Sequence, residues 1–198
     1  VRPFTILHVC IGNICRSPMA ERLLHLALRD QVGDRVDELY LSHGAGTGSW
    51  HVGEAMNPPA ARQLRTRGGD PSGFQARKLS GALVDASDLV LCATSEQVTA
   101  VRSLRPDAAG RTFVLGEFGR LLSRVALDGL PGEPYERGLA LVAAVDAARS
   151  TVDGRTPAER RDDLDDPWGL ADHEFSRVAD EIEQTVQPLA AALTGGTS

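Results

Sequence analysis

The chain has 198 residues, 42% of them hydrophobic, which is enough to bury one core, and a single domain over residues 1–198 is expected. A formal net charge of -6 without an extended Lys/Arg cluster argues against nucleic-acid binding, and no apolar stretch approaches the ~18 residues of a membrane span. No signal-peptide pattern opens the chain, and its three cysteines form neither a metal-ligand pattern nor a disulfide framework, so the expectation is a soluble, cytoplasmic protein without metal or cofactor.

Phe4 to Val9 has the composition of a buried strand and stops at Cys10 and Gly12. Ser17 is then placed to cap a helix with Pro18 at its first position, and Ala20, Leu23, Leu24, Ala27 and Leu28 recur at helical spacing. In a strand, tight loop and helix of this kind, backbone N–H groups from Ile11, Gly12, Asn13, Ile14, Cys15 and Arg16 converge and make an anion site that needs no metal. Gly12 permits close approach, Asn13 tolerates a left-handed backbone, and Arg16 adds a planar fork for two phosphate oxygens. Cys10 falls at the floor of this cradle, where a thiol pKa of ~8.5 drops to roughly 3.5 to 7.5, giving a thiolate poised to attack phosphorus.

Cys-x5-Arg alone is a weak signal. The whole string from Cys10 to Pro18, Cys-x-Gly-Asn-x-Cys-Arg-Ser-Pro, resembles the low-molecular-weight protein tyrosine phosphatases. That resemblance covers residues 4–118 and 162–193 and implies a four-stranded parallel sheet with helices on both faces. It also implies phosphotyrosine hydrolysis through a phosphocysteine on Cys10, with Ser17 hydrogen-bonded to the thiolate.

Further along, strands are expected at Glu38 to Ser42, Asp88 to Cys92 and Arg111 to Leu115, alternating with helices from Asn57, from Thr94 (with Gln97 as a capping box) and over Leu170 to Leu193. This alternation independently predicts a doubly wound α/β sheet with its site beyond the strand carboxyl ends. Pro188 is expected to bend or interrupt the last helix, and 194–198 to be a disordered tail. Residues 119–161 read as an insertion, with a helix over Pro134 to Arg149, a turn at Asp153-Gly154 and a charged stretch after it.

Asp162-Asp163-Leu164-Asp165-Asp166-Pro167-Trp168 matches the Asp-Pro-aromatic motif from which the resembled family takes its general acid, which makes Asp166 the candidate and Asp165 the runner-up. Four aspartates in five positions should crowd negative charge and keep one protonated. Trp168 would face Trp50, from the glycine-dense loop, to form a slot for a phenyl ring. Two departures stand out. The serine and histidine that hold the loop asparagine in the family are replaced at Gly44 (or His43) and Phe74, so either His43, Ser42 or Ser17 holds Asn13, or the loop samples shapes that do not bind phosphate.

The partners implied are a phosphotyrosine protein and an oxyanion. Arsenate reductase on the same loop is the alternative activity, disfavoured because Cys92 alone in a strand is a poor resolving thiol. A weakly catalytic phosphotyrosine-binding module is the third reading. Cys15 is expected to form a reversible disulfide with Cys10 under peroxide.

Overall fold

A computed structural model describes residues 2–149 and 162–196. In chain order it contains β1 (Phe4–Cys10), α1 (Arg16–Val32), α2 (Val36–Leu39), β2 (Tyr40–Gly46), α3 (Pro58–Thr66), α4 (Gly81–Asp85) and β3 (Leu89–Cys92). There follow α5 (Ser95–Leu104), β4 (Thr112–Val114), α6 (Leu115–Leu122), α7 (Pro134–Arg149) and α8 (Asp172–Thr194). The four strands pair in parallel in the order β2-β1-β3-β4, with β1 central and all seven of its residues buried. Because the chain winds outward from β1 to β2 and then returns past it to β3, helices cover both faces, as expected of a doubly wound sheet.

Strand alternation divides the core. Phe4, Ile6 and Cys10 of β1 join Leu23, Leu24, Phe118, Phe175 and Ile182 on one side, while Leu7 and Val9 join Val84, Val98 and Val101 on the other. Cys10 therefore ends the strand on the face where α1 and α8 pack.

Several sequence expectations shift. β2 runs from Tyr40 to Gly46 and not from Glu38 to Ser42, because pairing with β1 carries His43-Gly44-Ala45-Gly46, which lacks β-branched residues, into the sheet. Ser17 is no cap: α1 starts at Arg16, and the Ser17 hydroxyl is used inside the cradle. Asn57 precedes α3 without a side-chain capping bond. Gln97 does accept from the Thr94 N–H at 2.9 Å. Pro188 does not interrupt α8, which continues to Thr194 with Val186, Leu189 and Ala190 buried around the proline. Thr194 belongs to that helix and Gly195 closes it at φ 73°, so the expected disordered tail begins too early; 197–198 lie outside the described residues.

The helix read within the insertion is α7. It is part of the core: Leu141, Val142 and Val145 are buried, Gly138 abuts the Phe4 ring with no room for a Cβ, and the Arg149 guanidinium lies 3.7 Å from the Phe113 ring centroid. The turn at Asp153-Gly154 and the charged stretch up to 161 lie outside the described residues.

Candidate active site

The cradle is built by turning carbonyls outward. The C=O groups of Cys10, Ile11 and Ile14 accept from the backbone N–H groups of Thr47, Gly48 and Asn57 at 2.9–3.0 Å, while Cys15 C=O starts α1 by accepting from Met19. The N–H groups of Gly12, Ile14 and Cys15 have no backbone acceptor among the described residues, and all three residues line the cavity over Cys10. Asn13 takes the left-handed backbone expected of it, with φ 54°, and is fully buried. Its amide nitrogen donates to Ser17 Oγ at 2.8 Å, and its amide oxygen accepts from the backbone N–H of Arg77 at 2.9 Å. Asn13 is thus held by Ser17, one of the alternatives read from sequence, and by a main-chain donor that no residue type could signal.

Cys10 Sγ lies 3.0 Å from Ser17 Oγ and accepts from the Asn13 N–H at 3.2 Å. Gly12 serves space and not a positive φ: a Cβ there would lie 2.9 Å from His51 Cδ2 and push the imidazole aside. Gly46 serves the same end, since a Cβ would lie 2.6 Å from Ile11 O.

Arg16 is 3% exposed. Its Nη1 donates to Leu164 O at 3.1 Å and its Nη2 to Asp166 Oδ2 at 2.8 Å, while Nε is buried without a protein partner. Asp166 Oδ1 accepts from the Trp168 N–H at 3.2 Å across Pro167. A cavity of about 190 Å³ is lined by the cradle, Arg16, Asp166, Trp50, His51 and Trp168. Structure therefore brings together every candidate residue except Asn13 and Ser17, which support the cradle from behind.

The crowding expected of the four aspartates does not occur, because each carboxylate meets a different partner. Asp162 pairs with Arg120 of α6 at 2.8 Å, Asp163 accepts from the Ser95 N–H and hydroxyl at the start of α5, Asp165 pairs with Arg177 of α8 at 2.9 Å, and only Asp166 enters the cavity. Asp165, the runner-up acid, faces away from Arg16.

Among the other thiols, burial pushes Cys15 up to about 12, with Cys10 and Asp166 adding to the rise. Cys92 is fully buried, and burial raises it further still. His51 and Glu54 were not singled out from sequence; a histidine two residues before a glycine in a loop carries no distinctive pattern.

The family model for low molecular weight phosphotyrosine protein phosphatase matches residues 5–151. The chain belongs to that family. The phosphatase is 41% identical over 113 residues to "Probable low molecular weight protein-tyrosine-phosphatase EpsP" of Ralstonia solanacearum, covering 57% of this chain and 71% of that one. It is 37% identical over 127 residues to low molecular weight protein-tyrosine phosphatase A of Mycobacterium tuberculosis, covering 64% and 74%. In fold it resembles the tyrosine phosphatase Wzb from Escherichia coli K30 in complex with sulphate, with a TM-score of 0.63 at 23% identity over 94% of this chain and 96% of that one. The family match ends before Asp166. Among the described residues of the phosphatase, no helix is long and apolar enough to cross a membrane.

Proposed function

We propose that this phosphatase hydrolyses phosphotyrosine in proteins, in two steps at the Cys10 cradle. The observation that carries the reading is the state of Arg16: its Nε–H and Nη2–H form one edge of the guanidinium, Nη2 is on Asp166, Nε is buried without a protein partner, and the residue lines a cavity that Cys10 also lines. A buried unpartnered donor costs about 1–3 kcal/mol, which a phosphoryl oxygen would recover.

In the first step Cys10, as thiolate, attacks phosphorus, the S–P bond forms as the P–O ester bond breaks, and Asp166 gives its proton to the departing phenolate. Loop N–H groups and Arg16 hold the equatorial oxygens as charge redistributes. In the second, Asp166 as carboxylate takes a proton from water, which attacks phosphorus and releases phosphate and the Cys10 thiolate. Ser17, 3.0 Å away, stabilises that thiolate as it leaves. Trp50 and Trp168 supply apolar walls for the ring. The three cysteines are free, which suits a reducing cytoplasm.

The test is turnover of a small aryl phosphate beside arsenate with thiol donors. Aryl phosphate hydrolysis lost in Cys10→Ser and in Arg16→Lys, whose ammonium cannot replace the fork, is the expected result. Arsenate reduction without phosphatase turnover would move the assignment to reductase, and phosphopeptide binding without turnover to a binding module.

A further inference from the structure

We infer that His51 contacts the substrate, held by Glu54 so that its Nε2 meets an anionic oxygen of the bound phosphomonoester at the cavity mouth. The inference rests on the phosphatase reading above and adds a contact that the catalytic set lacks.

His51 follows Trp50 in the loop after β2 and lines the same cavity. Its Nδ1 lies 2.7 Å from Glu54 Oε2, and because an ionised carboxylate accepts and does not donate, Nδ1 carries the hydrogen. The opposite ring edge lies against the cradle: a Cβ on Gly12 would be 2.9 Å from Cδ2 and 3.7 Å from Nε2. Nε2 has no hydrogen-bond partner among the described residues. The segment is also fixed by its backbone, with Glu54 N–H on His51 C=O at 2.9 Å, and Gly53 and Ala76 N–H groups on Ala76 and Glu54 C=O, both at 2.8 Å. An imidazole oriented by a carboxylate, with its other nitrogen free at a cavity wall, is arranged for a ligand.

What Nε2 offers depends on protonation. In the neutral ring with hydrogen on Nδ1 it accepts; in the imidazolium it donates. Only the ring carrying hydrogen on both nitrogens can donate from Nε2 to an anionic oxygen, and a histidine gains that second hydrogen as pH falls. The charged groups facing it are Glu54 on its own loop and Cys10, Arg16 and Asp166 across the cavity. An anionic oxygen at the mouth has two sources: the phosphoryl group itself, or a carboxylate on the residue next to the phosphotyrosine.

The experiment compares wild type, His51→Gln and Glu54→Gln between pH 5.5 and 8. It reads inorganic phosphate binding by calorimetry, and kcat/KM for a small aryl phosphate and for phosphotyrosine peptides with Glu or Ala beside the tyrosine. Ratios of wild type to variant cancel the titration of phosphate and of groups common to both proteins. The expected wild-type advantage over His51→Gln is about tenfold at pH 5.5, the scale of one charge-assisted hydrogen bond, and it shrinks towards pH 8. Glu54→Gln, which removes the carboxylate that orients the Nδ1–H, shrinks the pH 5.5 advantage for the same ligand, which a merely structural role would not do. An advantage visible with inorganic phosphate assigns the contact to the phosphoryl group, and one confined to the Glu peptide assigns it to the flanking carboxylate. A ratio independent of pH for every ligand, or a pH 5.5 advantage unchanged by Glu54→Gln, overturns the inference. If wild type lacks aryl phosphate turnover, the phosphatase reading fails, and the calorimetric arm still decides the role of His51.

Discussion

Asp166 Oδ2 and Arg16 Nη2 are bonded at 2.8 Å, so the proposed acid occupies one prong of the fork that is to grip phosphate. Substrate has to exchange itself for that carboxylate. In the proposed reaction the same side chain therefore opposes binding and assists chemistry, and the two roles are separable.

Asp166→Asn should slow phenolate leaving groups of high pKa by roughly 10² to 10⁴ and slow activated ones far less. Inorganic phosphate should bind the variant more tightly, because a neutral amide competes less well for Arg16. Equal slowing across a leaving-group series, together with unchanged phosphate affinity, would remove Asp166 from both roles.

Trp50 is 73% exposed, yet its ring lies over Gly48 so closely that a Cβ there would overlap the indole. Gly48 is also laced to the cradle through its N–H on Ile11 C=O at 2.9 Å. Gly48→Ala should displace the ring at little cost in stability, since an exposed indole is free to move. The expected outcome is a KM for aryl phosphates raised several-fold with phosphate inhibition nearly unchanged, checked by steady-state kinetics and a thermal melt.

Glu21 of α1 sits beside the Asn13 clamp: a Cβ on Gly44 would lie 2.8 Å from Asn13 Nδ2 and 3.0 Å from Glu21 Oε2. Burial pushes its carboxyl up to about 7, against the opposing pull of Arg22, Arg77 and the Gly44 N–H. The folded state thus holds a proton that the unfolded state releases near 4.5, and the associated stability is complete below pH 4.5 and lost as pH rises to 7. The size is on the order of 3 kcal/mol. His8 and His43, buried and lowered to about 3 and about 4, act oppositely, losing stability as pH falls below 6.5. Wild type minus Glu21→Gln isolates the first effect, and denaturant unfolding at pH 5 and 8 should show a difference that falls with pH. A difference flat between those pH values would contradict the assignment.

Cys15 remains a thiol at neutral pH, being pushed up to about 12. A thiol in that state reacts slowly with a sulfenic acid on Cys10, so the proposed disulfide should form slowly and faster as pH rises. Mass spectrometry of peroxide-treated protein should find the Cys10–Cys15 link against a background of over-oxidised Cys10 that declines with pH. Detection of over-oxidised Cys10 alone at every pH would exclude the link.

The sequence made the cradle legible because its residue types answer to backbone needs: Asn13 for the left-handed turn, Gly12 for contact, Arg16 for the anion. Three strands were readable from apolar runs, β2 only in its first residues, and α7 from its alanine and leucine content. What stayed hidden depends on pairing across the chain. The end of β2 becomes strand only beside β1, and Ser17 looks like a cap until Cys10 and Asn13 are placed next to it. Likewise Phe74, 7% exposed, suggested a lost clamp, whereas the Arg77 N–H supplies the bond from main chain. The acidic run looked like one cluster of charge because spacing does not say that Arg120, Ser95 and Arg177 lie on three different helices around it.

Those three anchors, with Leu164 N–H on Ala93 C=O at 2.9 Å, make 162–166 a bracket bolted at several points and not a swinging flap. The proposed acid is thus held beside the cavity, and only its carboxylate has to leave Arg16. With 162–166 anchored in this way the proposed reaction needs no movement of that segment, and added viscogen should leave kcat for slow leaving groups untouched.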